Sequence, residues 1–487
     1  MLPRIIQGGM GVGISDWRLA RAVSSLGQLG VVSGTALDQI LARRLQDGDP
    51  GGHMERALAR FPVPALAARV WDTYFVPGGK PPQQSYKAVP MQTVDGPPDL
   101  RALTIVANFV EVVLAREGHR HPVGINYLEK IQIPHLPSLY GAMLGGVDVV
   151  LMGAGIPLRI PGALDRLARH EPASYPLQVT GAAGDDATLS FAPEHFIPAP
   201  AGPLRRPIFL AIVSSDVLAK TLQKKANGRV DGFIVEGPTA GGHNAPPRGA
   251  LRLDERGEPI YGDRDRVDLT KLRELGLPFW LAGGYGRPER VREAIAAGAA
   301  GVQVGTAFSL CAESGLRQDL RQALLQRVLD GTAHVRTDPH ASPTGFPFKV
   351  AELEGSLSEA EVYEARPRIC DLGYLREAYR QPDGVIGFRC PAEPVSIYTS
   401  KGGDEADTHG RKCICNALVA NIGHGQIRAG KYVEQALVTM GDDIESVRQF
   451  LRSGATDYTA ADVVARLLEG EAADECGEGL TSHPLSL

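Results

Sequence analysis

Residues 231–247 read DGFIVEGPTAGGHNAPP: the apolar run Phe233-Ile234-Val235 ends at Glu236, and Gly241-Gly242 then present His243. Histidine titrates near neutral pH, so after a buried strand it suits abstraction of a proton from a carbon acid, or orientation of one. The same residue also serves simply to close a loop through local hydrogen bonds. A second set lies in FWLAGGYGRPERVREAIAAGAAGVQVGTAF (279–308), where Gly283-Gly284 and Gly305-Thr306 each follow a strand-like run, one helix apart. Glycines let backbone N–H groups approach phosphate oxygens, and a helix N-terminus adds a favourable dipole, so the pair of turns reads as a phosphate cradle. In IIQGGMG (5–11), Gly8, Gly9 and Met10 end the first apolar run. Small residues there allow a flat ring to lie against the backbone. Asn126, in the run 123–128, supplies both a donor and an acceptor for ring heteroatoms.

All six cysteines lie beyond residue 310, and four of them, Cys370, Cys390, Cys413 and Cys415, follow the spacing C-x19-C-x22-C-x-C. In an extended KCICN, residues i and i+2 share a face, so two thiolates can aim at one metal. Cys390-Pro391 matches the Cys-Pro that closes many iron–sulfur motifs. The spacing fits no common zinc or ferredoxin pattern. A bound metal, iron–sulfur ahead of zinc, stands beside the plain reading of buried free thiols. Cys311 and Cys476 read as ordinary structural and tail cysteines.

The elements that must position these residues alternate. Eight nearly continuous apolar runs (IIQGG, LGVVSG, VGINYL, VDVVLMGAG, IFLAIVSS, GFIVEG, FWLAGG and GVQVGTAF) are each followed by a helical pattern or turn. Strands with both faces covered by helices imply a parallel sheet, and eight is the number for a (β/α)8 TIM barrel. ALAARVW (65–71) and PLQV (176–179) are β-like insertions, the second expected to pair with TLSFAPEHFI across GAAGDDA. Two Pro/Gly-rich loops, 76–100 and 244–269, are expected near the C-terminal face, each either a lid or simply a decorated surface loop. HASPTGFPFKV (340–350) reads as a linker. The expected layout is α/β: a catalytic barrel over 1–340 and a separate, mostly helical, cysteine-containing lobe over 341–487, its last fifteen or so residues frayed.

With 43% hydrophobic and 22% charged residues and a net charge of −5, the 487-residue chain has an ordinary globular composition. That balance gives no electrostatic footprint for nucleic acid or an anionic membrane surface. The most apolar stretches carry Glu111 and Asp148, so no membrane span is expected, and the start has no signal-peptide layout. The cytoplasm is the expected compartment. Oligomeric state is left open, a homo-oligomer included.

IIQGGMGVGISDWRLARAVSSLGQLGVVSG, VGINYL, VDGFIVEGPTAGGH and PFWLAGGYGRPERVREAIAAGAAGVQVGTAF occur here in one order. Together they resemble the nitronate monooxygenase (2-nitropropane dioxygenase-like) family of FMN-dependent barrels, which is related to the flavin-dependent enoyl-ACP reductases. The resemblance implies FMN with its phosphate at Gly283, Gly284, Gly305 and Thr306. It places the isoalloxazine near Gly9, Met10 and Asn126, with Glu236, Gly241 and Gly242 beside it. It makes His243 the catalytic or substrate-orienting residue for a small-molecule substrate. The implied activity is oxidation of a small carbanionic substrate with O2. Glu236 stands where the enoyl reductases carry Glu and the monooxygenases usually carry Gln, so an NAD(P)H-dependent reductase of an activated double bond is the alternative. A flavin or cluster electron carrier or sensor is the third reading.

Overall fold

The computed structural model describes residues 2–181, 187–428, 432–452 and 454–469. Cys476 and the expected frayed tail lie outside them. The eight apolar runs become the strands β1 (Ile5–Gln7), β2 (Leu29–Ser33), β3 (Val123–Leu128), β4 (Val149–Gly153), β5 (Ile208–Val213), β6 (Gly232–Glu236), β7 (Phe279–Ala282) and β8 (Gly301–Val304). They pair in parallel in chain order, and Ile5 against Val302 closes the barrel. Because side chains alternate along a strand, one set from each strand points inward. Ile6, Leu29, Val31, Leu151, Leu210, Ile234 and Trp280 fill the interior. The Trp280 indole N–H donates to the Pro3 carbonyl at 2.8 Å, so even this large ring is polar-satisfied.

Helices cover the outside. The helix Trp17–Ser25 starts at Asp16, whose carboxylate accepts from the Arg18 and Leu19 N–H groups. A buried ion cluster ties that start to the helix Pro98–Ala115: Arg44 reaches Glu111 at 2.8 Å and Asp16 at 3.2 Å. The helices Pro98–Ala115 and His135–Leu144 approach closely because position 141 is glycine; a Cβ there would lie 2.2 Å from the Ile105 carbonyl oxygen. Gly141→Ala is therefore expected to destabilise the fold by about 1–3 kcal/mol through overpacking, read as a lowered melting temperature.

Three expectations change. ALAARVW is a helix, Pro64–Tyr74, with Pro64 in its first turn and Ala67, Val70 and Tyr74 buried at helical spacing. Proline pre-sets the helical φ at that position. The hairpin forms, but it is built mainly by Ala173–Pro176 against Thr188–Phe191; of PLQV only Pro176 and Leu177 take part, while Val179–Thr180 pairs with Glu377–Arg380. The hairpin's turn at 182–186 lies outside the described residues. The C-terminal region is not mostly helical. Its helices Ala360–Glu364, Val395–Ser400, Ile414–Ala420 and Ala460–Leu467 are short, and small β-pairs separate them. Glycine and proline cut its periodic patterns before a helix can extend. The run Asp442–Phe450 is a 3-10 helix broken at Asp443. Ile414, Val419, Leu437 and Met440 from this region share one apolar core with Ile5 and Ile14. Among the described residues no helix is long and apolar enough to cross a membrane.

Candidate active site

The C-terminal ends of the strands open on one cavity, whose empty space, solvent mouth included, is about 1550 Å3. Gly9, Met10 and Asn126 line it from β1 and β3, and Glu236, Gly241, Gly242 and His243 from β6. Gly283, Gly284, Gly305 and Thr306 complete it after β7 and β8. Cys415 lines it too; Cys370, Cys390 and Cys413 do not. Neither of the two candidate lid loops reaches the cavity. The C-terminal region covers it with Phe348, Tyr374, Leu375, Ile414, Leu418 and residues between 439 and 446.

The glycines differ in what they do. A Cβ on Gly9 would sit 2.6 Å from Asn126 Cβ, so glycine keeps β1 and β3 close at the cavity floor. Gly283 and Gly284 have φ of +91° and +74°, the left-handed region where glycine is at ease. Among the described residues none accepts a hydrogen bond from the Gly284 or Thr306 backbone N–H, leaving donors for an anion. Gly241 and Gly242 were expected to give the flavin close access to the backbone. Both line the cavity; in addition, a Cβ on Gly241 would meet the Met440 carbonyl carbon at 2.9 Å, and the Gly242 N–H donates to Thr439 Oγ1 at 2.9 Å. At 241 glycine is required by the roof packed on it; at 242 a Cβ would meet nothing within 4 Å, and the φ of +81° is what favours glycine.

Two buried amide oxygens, Asn126 Oδ1 and Gln303 Oε1, have no partner and both residues line the cavity. Buried polar atoms are seldom left so, and a ligand bearing ring N–H donors fits them. Gln303 was not singled out from the sequence, although an amide inside the apolar GVQV run was its signal.

His243 is held from the segment expected to be a linker. Its Nε2 lies 2.7 Å from Ser342 Oγ, and Ser342 in turn meets Thr344 Oγ1 at 2.8 Å. The ring packs on Phe348 at 4.9 Å, and the backbone around it pairs with 347–349 through Asn244 N to Pro347 O and Lys349 N to Gly242 O. Burial, helped by the nearby Lys130 charge, lowers the imidazole pKa to about 4. Burial raises the Glu236 carboxyl to about 7. Lys130 itself is lowered to about 8 by burial and stands 3.4 Å over the Phe346 ring. Ser342→Ala removes one hydrogen bond to the imidazole. At about 0.5–1.5 kcal/mol per bond, a 2- to 10-fold lower kcat/KM is expected in steady-state assays.

Residues 206–339 match the family model for nitronate monooxygenase. Over 120 residues the chain is 37% identical to a nitronate monooxygenase of Pseudomonas aeruginosa, an alignment covering 25% of this chain and 32% of that one. The likeness to the nitronate monooxygenase family is carried by the second half of the barrel. The matched family region runs from the start of β5 past Thr306, so it contains His243 and both glycine turns. Over 144 residues the chain is also 31% identical to (3aS,4S,5R,7aS)-5-hydroxy-7a-methyl-1-oxo-octahydro-1H-indene-4-carboxyl-CoA dehydrogenase of Mycobacterium tuberculosis, covering 29% of this chain and 36% of that one. The chain thus spans about a third of the length of these curated relatives. The structure of FabK from Thermotoga maritima aligns over 98% of this chain and 95% of that one, at 15% identity and a TM-score of 0.48.

Proposed function

We propose that this chain is an FMN-dependent oxidoreductase that oxidises a small carbanionic substrate of the alkyl nitronate class with O2. The observation that carries the reading is the position of His243: it lines the same cavity as both glycine turns and the two unpartnered amide oxygens. Gly284 and Thr306 N–H would hold the FMN phosphate, and Asn126 and Gln303 would face the ring. FMN, when bound, supplies electron acceptance and the reaction with O2.

The chain's own residues position and hold charge. With Nε2–H donating to Ser342 Oγ, Nδ1 keeps its lone pair and is the atom that accepts a proton. At a pKa of about 4, roughly one imidazole in a thousand is protonated at pH 7. Such a group is a weak base toward a neutral carbon acid. It is better suited to orient a substrate that arrives as an anion, whose charge would draw a proton onto the ring. Glu236, near half protonation at pH 7, adds little negative charge to repel that anion.

The test is oxygen consumption with release of nitrite when purified, flavin-loaded protein is given an alkyl nitronate. Glu236 favours a second reading, in which NAD(P)H reduces the flavin and an activated double bond is the acceptor. Bleaching of the flavin by NAD(P)H in stopped flow, without nitronate turnover, would select it over the first.

A further inference from the structure

The fold brings Cys370, Cys390, Cys413 and Cys415 around one small cavity, although they arrive from three separate segments. Cys370 comes from an irregular stretch, Cys390 follows the strand Ile386–Arg389, and Cys413 and Cys415 stand at the start of the helix Ile414–Ala420. Cys390 lies close enough to feel the charge of Cys370, and Cys415 that of both Cys413 and Cys370.

Packing alone does not explain this gathering. The local core is an island of Cys390, Ala392 and Cys413 with Cys370 against it, separate from the main core. Cores held by packing fill their volume with large aliphatic and aromatic side chains. Here four thiols face a gap that Ala392, Leu375, Arg376 and Ile414 also line, in a region of short helices and two-stranded pairs. Small, poorly cored regions are commonly stapled by a metal centre instead. The surroundings suit an anionic centre. Arg376 stands beside Cys370, Cys390 and Cys415, and Arg366 beside Cys413. The Asn416 Nδ2 donates to Cys413 Sγ at 3.4 Å, and hydrogen bonds to sulfur are a means of tuning such centres.

Among the described residues no group of three or more histidine, cysteine, aspartate or glutamate side chains is already closed around a metal ion; the four thiols nonetheless line one cavity. The Cys390-Pro391 step and a spacing unlike the common zinc patterns favour an iron–sulfur cluster over a zinc ion. We propose that Cys370, Cys390, Cys413 and Cys415 hold an iron–sulfur cluster. Leu375, Ile414 and Cys415 line both this cavity and the main one, so the cluster stands one layer of side chains from the flavin site. That adjacency rests on the FMN reading; the cluster does not.

The experiment is quantification of iron, acid-labile sulfide, zinc and flavin on one sample of the full chain purified without oxygen, with electron paramagnetic resonance after dithionite reduction. Iron and sulfide in equal, stoichiometric amounts with a reduced-state signal are expected. In Cys390→Ser/Cys413→Ser both should fall at least tenfold, while Cys311→Ser keeps them. Zinc without iron overturns the proposal, as does iron-free protein that takes up no ferrous iron and sulfide under reducing conditions. A Cys370–Cys390 disulfide in protein purified without oxygen overturns it too. If the double variant does not fold, the metal content of the parent protein still decides. Flavin content is read separately, so loss of the FMN reading and loss of the cluster are distinguishable.

Discussion

His243→Ala is expected to lower kcat/KM toward an alkyl nitronate by about 10²–10⁴-fold, the range for a positioned acid–base group, while flavin content stays at the parent level. Flavin should persist because the phosphate turns and the amide oxygens of Asn126 and Gln303 belong to other strands. The substrate's ionisation state separates the two roles of the imidazole. A neutral nitroalkane needs a base, and a histidine lowered to about 4 is a poor one, so the parent should turn over the preformed nitronate far better. Comparable losses on both substrates in the variant mean orientation; a loss confined to the neutral nitroalkane means proton abstraction. His243→Asn, which keeps a side-chain donor and acceptor, should recover part of the nitronate rate in the first case and none in the second. Unchanged turnover by His243→Ala with both substrates would sink the assignment.

The barrel was legible because its evidence is local. Each strand is a continuous apolar run ended by glycine or a polar residue, and burial on both faces demands that pattern. The cavity floor was legible for the same reason, since Gly9, Gly283 and Gly305 sit directly after strands. What failed to show was the roof. Ser342 lies 99 residues from the histidine it holds, and Thr439 lies 197 residues from the Gly242 N–H it accepts from. Neither carries a local signal, because serine and threonine in a Pro/Gly-rich stretch read as loop whatever they touch. ALAARVW failed in the other direction: over seven residues it satisfies both an alternating and a helical pattern, and Pro64 with the buried Ala67, Val70 and Tyr74 decides for the helix. The glycines before His243 line the cavity, and what the sequence does not show is that Gly241 also leaves room for Met440.

In flavin-free protein, Glu236 and His243 are expected to give opposite pH dependences that nearly cancel until one is removed. The folded chain raises Glu236 from 4.5 to about 7, so between those values the native state binds the extra proton. Stability from this group therefore falls as pH rises from 4.5 to about 7 and is level beyond. His243 is lowered from 6.5 to about 4, so there the unfolded chain binds the extra proton. Its contribution rises with pH from about 4 to 6.5. Glu236→Gln should then gain on the parent by about 3 kcal/mol as pH rises from 4.5 to 7. His243→Ala should gain by about as much as pH falls from 6.5 to 4, at about 1.4 kcal/mol per pKa unit. The double variant should show neither trend. Denaturant unfolding across this range measures the differences, and two flat difference curves would mean that neither group is held away from its ordinary pKa. The cancellation has a consequence for binding. Near pH 7 the imidazole is neutral and the carboxyl half neutral, so these two groups add little fixed negative charge, and Asp443 is the other carboxylate that lines the cavity.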